Sequence, residues 1–172
     1  MEGFELQFPA SDIEALAGRF GYADDSRLLA HGAAARTRGY YTRGEFIEVC
    51  AFKTARSRPR VTVNSRHAVM SRTGQALAAS DESDRITPLL ELHGVGAPTA
   101  STLLYAAFPD DYPILDVRAL ESLGAKPRSQ YPISFWLAYL CACRELARCS
   151  GVSIRTLDKA LWQHSKERAA RG

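Results

Sequence analysis

Apolar residues recur along this chain mostly at intervals of three and four, the period of helices with one buried face, and alternation of period two is almost absent. Ser11 or Asp12 caps a first helix reaching about position 20, and Asp24 or Asp25 opens a second over 24–36. Arg38-Gly39-Tyr40-Tyr41 breaks that helix. Thr42 and Glu45 form a capping box, each side chain satisfying a backbone N–H that the helix start leaves unpaired. The helix they open carries Phe46, Ile47, Val49, Cys50 and Phe52 and ends near Lys53. Ser57-Arg58-Pro59-Arg60 interrupts the pattern, and Val61-Thr62-Val63 is the one short extended stretch. Helices resume from Asn64 and again after Thr73. Ser80 caps a segment whose first turn is acidic, as the helix dipole favours, and Pro88 divides it from a further turn over 89–92. Later helices span 98–108 and 116–123, then run from Pro132 to a stop at Gly151, and from Ser153 along Leu157, Leu161 and Trp162. The pattern predicts an all-α fold, a compact helical bundle or two-lobed arrangement forming a single domain over 1–172.

The chain of 172 residues is long enough for that core, and its 46% hydrophobic and 24% charged residues are the balance of an ordinary globular protein. No stretch approaches the ~20 apolar residues of a membrane helix. The opening Met1-Glu2-Gly3-Phe4-Glu5 is acidic and lacks the pattern of a signal peptide, so a cytoplasmic location without membrane contact is expected. The net charge of +3 is uneven: positions 53–72 hold Lys53, Arg56, Arg58, Arg60, Arg66 and Arg72 with no acid, leaving 16 basic against 19 acidic residues elsewhere. One basic stretch on a near-neutral chain suits phosphate contact at a single face, though a solvated loop has the same composition. Cys141, Cys143 and Cys149 lack a C-x2-C element, and Cys141 and Cys143 point to different sides of a helix. Buried free thiols are expected, with no metal and no other cofactor.

Leu90-Glu91-Leu92-His93-Gly94-Val95-Gly96-Ala97-Pro98-Thr99-Ala100 alternates apolar anchors with glycines in a way that joins two helices by a tight turn. Gly94 permits the positive φ that ends the first helix, and Val95 points into the core. Gly96 lets a phosphate approach the backbone, and Pro98 sets φ for the first turn of the second helix. The free N–H groups of Ala97 and Thr99, at the positive end of that helix, then form a site for a DNA phosphate. The plain alternative is a turn between packed helices with no nucleic acid, and the immediate flanks carry few Lys or Arg.

The hairpin, with the run through Tyr112-Pro113-Ile114-Leu115-Asp116-Val117-Arg118, resembles the helix-hairpin-helix DNA glycosylases known as the HhH-GPD superfamily. The likeness covers roughly 86–124, with the hairpin at about 86–108. The chain also resembles a bacterial branch sharing stretches such as Phe52-Lys53-Thr54-Ala55-Arg56 and Leu157-Asp158-Lys159-Ala160-Leu161-Trp162. Pro98 and Asp116 are 18 positions apart, the family's spacing between its second-helix site and its catalytic aspartate. The resemblance implies a DNA glycosylase in which Asp116 stabilises oxocarbenium character on the sugar or orients a water once the base has left the stack. Bifunctional members carry a lysine where this chain has Pro98, so the resemblance implies a monofunctional hydrolase. The cysteine spacing differs from that of members with an iron–sulfur cluster.

Each of these residues has a structural reading beside the functional one. Asp116 can cap its helix, and Arg118 can hold a phosphate or pair with an acid. Lys53 and Arg56 reach toward DNA phosphates, and Lys53 could replace the missing amine. Tyr40 and Tyr41 stack on a flipped base or else cover the core, while Trp136 and Trp162 read as core. The expected partner is DNA, bound by a monomer. The alternatives to an enzyme are a non-catalytic helix-hairpin-helix DNA-binding protein and a helical scaffold for another protein.

Overall fold

The computed structural model describes residues 3–22 and 24–171, so Met1 and Glu2 of the acidic N-terminus lie outside the described residues. Among these the chain is all-helical, with no strand. A 3-10 turn at Ala10–Asp12 leads into α1 (Ile13–Gly18), α2 (Ser26–Arg38) and α3 (Arg43–Lys53). A 3-10 turn at Ala55–Ser57 then precedes α4 (Arg58–Val61), α5 (Arg66–Ala78), α6 (Glu82–Leu90) and α7 (Ala97–Ala107). The last three are α8 (Val117–Ser122), α9 (Ile133–Ser150) and α10 (Ile154–Ala169). No helix among the described residues is long and apolar enough to cross a membrane.

Helix α7 is the axis. Every residue of it except Pro98 is buried, and α2, α3 and α6 pack around it. Gly32 of α2 is what allows that approach: a Cβ there would lie 1.8 Å from the Ala106 carbonyl oxygen. On the other side α10 carries α1, α8 and α9. One apolar cluster runs without interruption from Ile13 to Leu161, with Trp136, Tyr139 and Tyr105 among its largest members. Burial of these side chains is the main stabilising term.

Several of the expected helix ends are realised, although neither Asp12 nor Asp25 makes a side-chain cap bond and α1 stops at Gly18. The Thr42 and Glu45 capping box is complete, Ser153 accepts the Thr156 N–H, and Gly39 and Gly151 close α2 and α9 at φ 93° and 67°. Four expectations are corrected. Val61-Thr62-Val63 is not extended, because Pro59 sits in the first turn of α4 and Thr62 hydrogen-bonds back to the Pro59 carbonyl. The stretch beyond it is one helix, α5, capped by Ser65 and uninterrupted at Thr73, whose hydroxyl bonds the Val69 carbonyl within the helix. The cap of α6 is Asp81 in place of Ser80, accepting N–H groups of Ser83 and Asp84. Pro88 does not divide that helix: it forfeits one backbone bond near the C-terminal end, where its ring is buried in the core. The cysteines split as well. Cys50 and Cys143 are buried, whereas Cys141 and Cys149 are exposed, so only two of the four match the expected burial.

Candidate functional site

Asp116 is placed by the segment before it. The Ser101 hydroxyl accepts the Leu115 N–H at 2.9 Å, the buried Asp158 carboxylate accepts the Ile114 N–H at 3.1 Å, and the Tyr139 hydroxyl donates to the Ile114 carbonyl at 2.9 Å. Held in this way, Asp116 adopts extended backbone (φ −137°, ψ 148°) and caps α8, its Oδ1 accepting the Arg118 N–H at 2.8 Å. The structural reading of Asp116 as a helix cap is therefore realised. Its second oxygen, Oδ2, lies 2.6 Å from Lys53 Nζ, with side-chain exposures of 16% for the lysine and 28% for the aspartate. Lys53 is the last residue of α3 and Asp116 precedes the first of α8, so each charge stands at the helix end whose dipole favours it.

This pair lines two cavities. One is a small cleft whose walls include Phe20, Tyr22, Phe52 and Trp162. The rings meet edge to face: Phe20 and Trp162 have centroids 5.2 Å apart at 73°, and Tyr22 lies 5.3 Å from Trp162 and 5.9 Å from Phe52. Tyr22 keeps 49% of its surface in solvent at the mouth. The polar residues of this cleft besides the pair are Thr102, Arg155 and Asp158. Arg155 bonds Asp158 and Asp25, both at 2.6 Å, and Tyr105 donates to the same Asp25 oxygen at 2.7 Å. Burial pushes the Asp158 carboxyl up, opposed by Arg155 and by the Ile114 N–H.

The other cavity is an open groove of about 1040 Å³ running past Lys53, Gly96, Ala97, Pro98, Asp116 and Val117. Here α7 begins at Gly96 with no side chain capping it. Gly94, two residues earlier, has φ 78°, and a Cβ on it would lie 2.7 Å from Arg60 Cβ. The reason for that closeness is a clasp. The Asn64 side-chain amide donates to the His93 carbonyl at 2.8 Å and accepts the His93 N–H at 2.8 Å, while His93 Nδ1 bonds the Arg60 carbonyl at 2.9 Å. The basic stretch is thereby fastened to the turn between α6 and α7. Arg56 and Arg60 line a hollow of about 640 Å³ together with Thr54, Ser57, Gly94 and Thr99, and both arginines are exposed.

Of the residues singled out from the sequence, the fold thus brings Lys53 to Asp116, and Arg56 to Gly94 and Thr99. Arg118 does not pair with Asp116 through its side chain; its guanidinium lies 3.4 Å from the Ser165 hydroxyl and 5.4 Å from the centre of the Trp162 ring. Tyr41 is 1% exposed in the core, donating to the Leu103 carbonyl at 2.7 Å, and Tyr40 carries Arg38 on its ring; neither lines the cleft. Trp136 is core as expected, but Trp162 is a wall of the cleft. The sequence reading did not pick out Phe20, Tyr22, Phe52, Arg155 or Asp158 as site residues. No local pattern joins them: Phe20 and Tyr22 follow α1, while Phe52 lies on α3 and Arg155 and Asp158 on α10. Among the described residues no group of three or more His, Cys, Asp or Glu side chains is placed to hold a metal ion. Comparison with protein-family models, curated proteins and solved structures finds no match to this chain.

Proposed function

We propose that the chain is a DNA glycosylase of the helix-hairpin-helix type, breaking the base–sugar bond of a damaged or modified nucleotide. The observation that carries this reading is that Asp116 lines two cavities at once, an aromatic cleft and the groove where α7 begins. A nucleotide turned out of a duplex has matching parts: a flat apolar base, a charged phosphate, and the glycosidic carbon between them. Unstacking it costs a few kcal/mol, and stacking on aromatic walls returns ~1–3 kcal/mol per base. The amides at the open start of α7 donate to the phosphate, with Arg56 and Arg60 adding charge from the neighbouring hollow. As the bond breaks, positive charge grows on the sugar, and a fixed carboxylate beside it stabilises that charge without having to reorganise.

A second reading draws on the same ion pair. Lys53 already occupies Asp116 Oδ2, an arrangement that also fits a DNA-binding protein without chemistry. Incubating the protein with a panel of duplexes carrying damaged bases, then revealing abasic sites with hot alkali, separates the two. The glycosylase reading predicts cleavage with the native protein and none with Asp116→Asn. Salt-sensitive binding of every duplex with no base release from any would support the binding protein.

A further inference from the structure

The monofunctional expectation rests on Pro98, which stands where an amine would otherwise project from α7. The fold brings a different amine to the same groove. Lys53 arrives from the end of α3, and it lines both that groove, beside Pro98, and the aromatic cleft. Its Nζ is 2.6 Å from Asp116 Oδ2, and the other carboxylate oxygen is fixed by the Arg118 N–H, so the carboxylate cannot turn from the lysine without uncapping α8. The remaining cation of the cleft, Arg155, is taken up by Asp25 and Asp158 and cannot act as a nucleophile. A lysine amine held against a stationary proton acceptor, between an aromatic cleft and the groove where α7 begins, is placed to reach a sugar carbon lying between the two.

We propose that Lys53 is the nucleophile of the cleavage reaction and Asp116 its proton acceptor. The proposal rests on reading the aromatic cleft as a base pocket, and it replaces water by an amine at the reacting carbon. Lys53 passes one ammonium proton to Asp116, and Nζ forms a bond to C1′ as the C1′–N bond breaks. The electron pair leaves with the base, which takes a proton. The C1′–O4′ bond then opens, with O4′ protonated, to give a Schiff base between Nζ and C1′. Loss of a C2′ proton expels the 3′ phosphate by β-elimination and nicks the strand. Water hydrolyses the conjugated Schiff base, restoring Lys53 and releasing an unsaturated aldehyde on the strand end. Only DNA and water are consumed, and nothing is oxidised or reduced.

The test uses a duplex with one abasic site, which bypasses any choice of damaged base, and borohydride to reduce the Schiff base to a stable adduct. The full-length native protein is expected to form a covalent adduct and to nick the strand before alkali, with peptide mass mapping locating the sugar on Lys53. Lys53→Arg keeps the charge and the ion pair but cannot form a Schiff base under these conditions. It should lose the adduct while still binding the abasic duplex in a salt-sensitive way. An adduct that persists in Lys53→Arg, or that maps to another amine, overturns the proposal. Absence of any adduct from native protein that still releases a damaged base also overturns it and leaves the glycosylase reading standing. Absence of both abasic-duplex binding and base release removes that reading together with this one.

Discussion

Helices α7 and α8 start beside the same groove in opposite ways. The start of α7 is open: Gly96 caps it with no side chain, and the nearest atom to a Cβ added there would be Pro98 Cδ at 3.8 Å. The start of α8 is closed by Asp116, whose carboxylate satisfies the Arg118 N–H and then meets Lys53. Every helix start leaves backbone donors without internal partners. Where the chain supplies no acceptor, an anion from outside can take those donors. Where a carboxylate supplies one, a single oxygen is spent on the backbone and the direction of the other is fixed. The open start thus suits binding, and the closed one suits holding a charge in one place. On the proposed reading the first is the phosphate position and the second the reactive one.

The contrast is sharpened first at the closed start. Asp116→Asn still caps α8 but loses the negative charge, so base release should fall by on the order of 10²–10⁴ while duplex affinity is little changed. Single-turnover release measured against binding anisotropy reads both quantities. An equal loss in the two would mean that Asp116 only organises the surface.

At the open start the two glycines should part company. Gly94→Ala forces a side chain onto φ 78° and into Arg60, and should cost about 2–3 kcal/mol in denaturant unfolding. Gly96 has φ −103° and space around it, so Gly96→Ala should change stability by less than about 1 kcal/mol, yet weaken duplex binding by filling the place of the phosphate. If both variants were destabilised alike, with no separate effect on binding, the turn would be structural throughout. Arg56→Ala and Arg60→Ala should each lower the slope of log affinity against log salt by about one, as expected for one phosphate contact apiece. Asp116→Ala should cost about 1 kcal/mol for the helix cap, readable as a shift in thermal midpoint.

What the sequence disclosed depended on how far the cause lay along the chain. The capping box at Thr42, the stop at Gly151 and the cap at Asp116 are set by residues two to four positions away, and all are present. Pro88 misled because its usual effect on a helix interior is small near the end of α6. The aromatic cleft could not be anticipated. Phe20 and Tyr22 follow α1, Phe52 lies on α3 and Trp162 on α10, and only the packing of those helices makes them neighbours. The poverty of basic residues around the hairpin was real in sequence and irrelevant in space, because the clasp of Asn64 on His93 carries Arg56 and Arg60 to Gly94. Lys53 and Asp116 were each conspicuous on their own, yet nothing short of the fold could place them 2.6 Å apart across 63 positions.

The central claim is that one DNA molecule engages the open start of α7 and the aromatic cleft together. A chemical-shift titration with a duplex carrying a single bulged base, already unpaired and so cheaply turned outward, tests it most directly. The account predicts that the amides of Gly96, Ala97 and Thr99 and the indole N–H of Trp162 shift along one binding curve, which weakens as salt rises. Shifts at the amides with the Trp162 indole unmoved at saturation, or no shifts at either place, would contradict it.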